Sequence, residues 1–128
     1  MIDKELLAQD HLSLRDLQAF HQLLDQEKKF DTDMLRNVAY LSEEIGEVVS
    51  AIRSFRVADT PSTLEQARTQ LGEELADCLA YILKLANYGD VNLEEAYRTK
   101  MERNLIRTWH KTCQAERPSS AEEASSKG

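Results

Sequence analysis

Two short stretches carry the residues best suited to chemistry. Leu41 to Ile52 reads LSEEIGEVVSAI, and Gly72 to Leu83 reads GEELADCLAYIL. Each is an apolar segment with acidic residues one helical turn apart, Glu44 and Glu47 in the first, Glu74 and Asp77 in the second. Residues at i and i+3 are neighbours on a helix surface, so each pair offers two carboxylates to one place. At ~100° per residue, Val38, Leu41, Ile45, Val48, Ile52 and Phe55 define an apolar seam on the first helix. Glu44 lies about 70° and Glu47 about 130° to one side of it. Leu71, Leu75, Cys78, Leu79, Ile82, Leu85 and Ala86 define the seam of the second, with Glu74 and Asp77 about 80° and 140° away in the same sense. Antiparallel packing, seam to seam, then brings four carboxylates to one face of the pair.

A single acidic residue beside a helical seam is ordinarily a solvated flank. Four converging like charges are different, because they destabilise the fold unless a cation compensates. Oxygen donors without His or Cys suit a hard cation, Mg²⁺ or Mn²⁺, rather than zinc or copper. A di-iron bundle would need Glu-x-x-His on two helices. None of His11, His21 and His110 has Glu at the required offset, which excludes it.

The chain around these stretches is 128 residues long, the length of one domain. Its net charge of −7 disfavours a nucleic acid polymer or an anionic membrane as the main partner. Cys78 and Cys113 are too few for a disulfide framework, and Cys78 sits on an apolar seam. The polar start, Met1 to Asp10, does not read as a signal peptide, and no apolar run reaches membrane-spanning length. A cytoplasmic location is the expectation.

Helical periodicity and cap signals predict an all-α, four-helix fold over about 13–29, 34–56, 62–88 and 92–110. Residues 1–12 read as a flexible arm, 13–110 as the domain, and 111–128 as a disordered tail of Ser, Ala, Glu and Lys. Ser13 starts the first helix, Asp33 and Thr60-Pro61 the next two, and Gly89 closes the third. Gly46, inside the second helix, marks either close approach by a neighbour or an exposed position. The fourth helix carries Lys100, Asn104 and Arg107 on one stripe beside Tyr97, Met101 and Leu105. That stripe is either a salt-bridged surface or, beside a carboxylate-held cation, a clamp for phosphate oxygens.

These residues resemble a known family. Glu44-x-x-Glu47, a gap of 26 residues, then Glu74-x-x-Asp77 is similar to the signature of the MazG-like all-α nucleoside triphosphate pyrophosphatases. Leu14 to Asp33 with His21, then Arg36-Asn37 and the closing K-M-E-R-N-L-I-R of Lys100 to Arg107, resembles the dCTP pyrophosphatase-like branch. The resemblance covers about Ser13 to Trp109. It implies hydrolysis of a (d)NTP to monophosphate and pyrophosphate, housekeeping of the nucleotide pool, and a homodimer or homotetramer. It also implies Mg²⁺ held by Glu44, Glu47, Glu74 and Asp77, with Lys100 and Arg107 on the polyphosphate and Asn104 as a further donor.

Glu43, beside Glu44 and one turn from Glu47, is the candidate to orient or deprotonate the attacking water. The dCTP branch tends to have glycine at this place, so here the chain departs from it. His21, Phe30, Asn37 and Tyr81 are candidates for base and sugar binding by position. His21 is equally a packed imidazole, and Phe30 a stacking ring or a core residue. Phe30 stands where the dCTP branch often has Trp. Two other readings remain open: a phosphoribosyl-ATP pyrophosphatase-like enzyme, and a non-catalytic helical module that binds nucleotide or protein.

Overall fold

The computed structural model describes residues 4–115, with the backbone alone for 108–115. Five α-helices follow in order: α1 (Lys4–Leu7), α2 (Leu14–Lys28), α3 (Met34–Val57), α4 (Pro61–Tyr88) and α5 (Leu93–Ala115). The four expected helices are present, and no strand occurs among the described residues. The stretch read as an arm holds the short turn α1. The expected tail begins within α5, and 116–128 lie outside the described residues. Two compact units divide between Glu94 and Glu95.

Local chemistry sets the boundaries of the first unit. The Ser13 hydroxyl accepts from the Asp16 N–H at 3.0 Å while the Asp16 carboxylate accepts from the Ser13 N–H at 3.1 Å, closing a capping box on α2. α2 ends at Lys29 in the left-handed region, φ 52°, and the Asp25 carbonyl accepts from the cap N–H. Asp33 caps α3 by accepting from the Arg36 N–H at 2.8 Å. Thr60 caps α4, with Pro61 at its first turn.

Only Ala58, Asp59 and Thr60 separate α3 from α4, so the two run antiparallel as a hairpin. α3 packs chiefly on α4, and α2 lies against α4 as well. Gln18 ties that second contact. Its side-chain amide donates to Asn87 Oδ1 at 3.1 Å and to the Val91 carbonyl at 2.8 Å. Its Oε1 accepts from the Leu93 N–H at 3.0 Å, and Asn87 Nδ2 donates back to the Gln18 carbonyl at 2.8 Å.

The hairpin seam agrees only in part with the expected one: Leu41, Val48, Leu71, Cys78, Leu85 and Ala86 are covered as expected. Asn37, Leu41, Glu44, Val48 and Ala51 are the covered positions of α3, and the covered positions of α4 include Ala67, Leu71, Glu74, Cys78 and Tyr81. Val38, Ile45, Ile52, Phe55, Leu75, Leu79 and Ile82, expected at the seam, are exposed. The reason is size. Fully buried Ala51 and nearly buried Ala67 line the seam, and small residues let two helices meet along that flank while the bulkier stripe stays outside. Two carboxylates thereby enter the seam itself.

The turn between α2 and α3 is fastened by charge. The Arg36 guanidinium donates to the Asp31 carboxylate from Nε, and from its terminal nitrogen at 3.1 Å. Together with the Asp33 N–H, that bond holds the Asp31 carboxyl down at about 2. A carboxyl depressed below its unfolded value stabilises the fold at pH values above the unfolded pKa of ~4. That contribution is lost as the pH falls toward about 2. Thermal melts from pH 5 to 2 are expected to show a steeper acid loss in the natural protein than in Asp31→Asn. Parallel curves would show that the pair adds nothing.

Candidate active site

Antiparallel pairing places α3 residues opposite α4 residues of matching level, and the acidic residues meet. Glu44, Glu74 and Asp77 each offer an oxygen, all within 4.8 Å of one another. Glu44 and Glu74 are half-buried in the seam, and Asp77 is exposed beside them. Partial burial, then the charges of Glu47, Glu44, Asp77 and Glu73, push the Glu74 carboxyl up from its ordinary value. Glu47 is exposed and stands outside the close trio, although its charge acts on Glu74. Glu43 is exposed on α3, and its charge reaches Tyr81. Gly46 has nothing within 4 Å of the place a Cβ would occupy, so within the chain it is an exposed helical glycine.

One turn beyond Glu44 and Asp77 lies a cavity of about 270 Å³, lined by Phe30, Asp31, Asn37, Tyr40, Tyr81 and Lys84. The Tyr40 and Tyr81 rings are 6.0 Å apart, centre to centre, and form an aromatic wall. Burial, then the Glu44 and Asp77 charges, raise the Tyr81 hydroxyl, so this wall lies within the field of the acidic trio. Asn37 is 1% exposed. Its Nδ2 donates to the Asp31 and Asp33 carbonyls, both at 2.8 Å, which fixes the orientation of the amide. Its Oδ1 is buried and has no hydrogen-bond partner.

Three of the four residues expected for base and sugar binding, Phe30, Asn37 and Tyr81, thus line one cavity. His21 does not. It is half-buried on α2, edge-on to Phe20 at 5.3 Å, with Nδ1 buried and unpartnered. Burial pushes its imidazole below the ordinary range, against the pull of Asp25. On α5, Lys100 and Arg107 are exposed and Asn104 is half-buried, its Nδ2 3.9 Å from Met101 Sδ. They belong to the second unit.

Sequence reasoning missed Lys84, Asp25 and Tyr88. Lys84 Nζ is 3.2 Å from Asp25 Oδ1, with the two side chains only 12% and 6% exposed. The Tyr88 hydroxyl donates to the other Asp25 oxygen, and burial with that bond raises the phenol far above its ordinary value. The available signal was Lys84, a lone charge inside the apolar run YILKLAN; Asp25, followed by the polar QEKK, carries no such mark.

Three carboxylates with no histidine among them suit a hard divalent cation, and the cavity one turn away suits a flat ring. Fold and site together define an all-α carboxylate centre built on a helical hairpin. The family model for the MazG nucleotide pyrophosphohydrolase domain matches residues 32–112, more than half of the chain. The chain belongs to the MazG family, whose members are nucleotide pyrophosphohydrolases and generally metal-dependent. No curated protein matched the chain in a search of such proteins. No helix among the described residues is long and apolar enough to cross a membrane.

Proposed function

We propose that this protein hydrolyses a nucleoside triphosphate, a (d)NTP, to the monophosphate and pyrophosphate, as house-cleaning of the nucleotide pool. The observation that carries the reading is the carboxylate trio one helical turn from an aromatic cavity. Triphosphate at the trio and base in the cavity fit that spacing.

Glu44, Glu74 and Asp77 would hold Mg²⁺, or Mn²⁺ in its place, with Glu47 turning in as a fourth ligand. Bound there, the cation supplies charge neutralisation for the phosphate oxygens and the leaving pyrophosphate. Glu43 takes a proton from the attacking water. The water oxygen bonds to the α-phosphorus, the bond from that phosphorus to the bridging oxygen breaks, and pyrophosphate leaves. Lys100, Asn104 and Arg107 are the proposed donors to phosphate oxygens. The aromatic wall and Asn37 orient the base, and His21 takes no assigned part.

Exposed apolar residues along α3 and α4, Ile45, Ile52, Leu75 and Ile82 among them, support a homodimer or homotetramer. Light scattering that gives the mass of a single chain would remove that part.

The activity test is pyrophosphate release from a panel of (d)NTPs with Mg²⁺ and with chelator. Glu43→Gln is expected to lower kcat, and paired Lys100→Met and Arg107→Met to raise KM. Release of orthophosphate instead, or no release from any nucleotide, would sink the reading. Phosphoribosyl-ATP is then the next substrate to try, and nucleotide binding without turnover would favour a non-catalytic module.

A further inference from the structure

The aromatic cavity holds a cation that the proposed chemistry does not use. Lys84 Nζ sits 5.1 Å from the centre of the Phe30 ring and 5.4 Å from that of Tyr81. Its charge is balanced behind the cavity by Asp25, whose other oxygen is engaged by Tyr88. An ammonium has three N–H donors, and the ion pair at 3.2 Å leaves Asp25 Oδ1 without a hydrogen-bond partner. The aromatic rings engage the cation through their faces and accept no conventional hydrogen bond. Lys84 is therefore a positioned donor at the wall of the cavity.

A positioned acceptor lies in the same lining. Asn37 turns both amide protons toward backbone carbonyls, which leaves Oδ1 buried and unpaired. A flat ring entering between these groups is favoured when it brings a carbonyl oxygen for Lys84 and an N–H for Asn37. Uracil, thymine and guanine carry both, and cytosine carries a carbonyl and an amine. Adenine carries an amine and no carbonyl oxygen. Accepting adenine leaves the lysine without its strongest partner, and a site built to hydrogen-bond a group discriminates against the analogue that lacks it.

We propose that Lys84 is a base-reading residue that selects carbonyl-bearing bases over adenine. This rests on the pyrophosphohydrolase reading for its kinetic consequence, but the base preference itself is also a binding property. The expected preference in kcat/KM is about ten- to hundred-fold for dTTP, dUTP, dGTP or dCTP over dATP, the range of a charged hydrogen bond.

The test compares the natural protein, Lys84→Met, and the double variant Lys84→Met/Asp25→Asn. The double variant removes both buried charges and guards against a misfolded single variant. Each is measured for kcat/KM on the five nucleotides and, by calorimetry, for binding of dTMP against dAMP. In the variants the ratio between carbonyl-bearing bases and adenine is expected to fall toward one. A ratio unchanged in the folded double variant would overturn the proposal, as would equal use of dATP by the natural protein. A uniform loss across all bases would also overturn it, assigning Lys84 to phosphate or to stability. Absent hydrolysis with a retained, Lys84-dependent dTMP preference would sink the hydrolase reading alone.

Discussion

Glu74→Gln is expected to lower metal-dependent hydrolysis by about 10²-fold or more while raising the Tm of the metal-free protein. Both effects come from one position. Glu74 is half-buried in the seam, within 4.8 Å of Glu44 and Asp77 and under the charge of Glu47 and Glu73. Without a cation these groups repel, so a neutral amide of the same shape relieves the fold. With a cation, the same substitution removes a charged ligand from the place where phosphate charge must be balanced. Added Mg²⁺ should stabilise the natural protein and hardly affect the variant, since a ligand stabilises only the state that binds it. Hydrolysis that survives the substitution would exclude the trio as the metal centre. A lower Tm in the metal-free variant would mean that Glu74 is held by a favourable partner.

The second large effect is on stability. Lys84→Met is expected to cost about 3 kcal/mol, because it leaves Asp25 as a buried charge with Tyr88 alone. The cost comes from stranding one ion rather than from the worth of the pair. Lys84→Met/Asp25→Asn should therefore recover most of the loss, since it removes both charges and leaves Tyr88 an acceptor. Urea denaturation of the natural protein, both single variants and the double variant completes the cycle. Additive losses would mean that the two charges do not interact. A single-variant cost below about 1 kcal/mol would place the pair in water, despite side chains 12% and 6% exposed.

Much of this site is legible before any coordinates. Glu44, Glu74 and Asp77 announce themselves because acidic residues at i, i+3 share a flank and a short hairpin connection fixes their level. Caps at Ser13, Asp33 and Thr60 are equally local, and all three hold. The seam is less legible, because α3 and α4 are apolar on more than one flank. Periodicity weights Ile45, Ile52 and Phe55 by hydrophobicity, whereas contact was decided by the small Ala51 and Ala67. Glu47 follows from that rotation, since a roll that draws Glu44 into the seam leaves its neighbour one turn on at the rim. Lys84 and Asp25 were beyond reach for a different reason. Their pairing joins α2 to α4 across 59 positions, and Lys84, a lone charge in an apolar run, does not name its partner.

The chain has a thin interior. Its buried apolar residues among those described are Ala51, Ala67, Leu83 and Ala86, three methyl groups and one isobutyl. So small a set removes little surface from water, and the larger aliphatic side chains remain outside. If a second copy covers them, folding and assembly become one event, and dilution acts as a denaturant. Catalysis per molecule would then rise with the amount of protein present, so that a cell making twice as much would gain more than twice the activity.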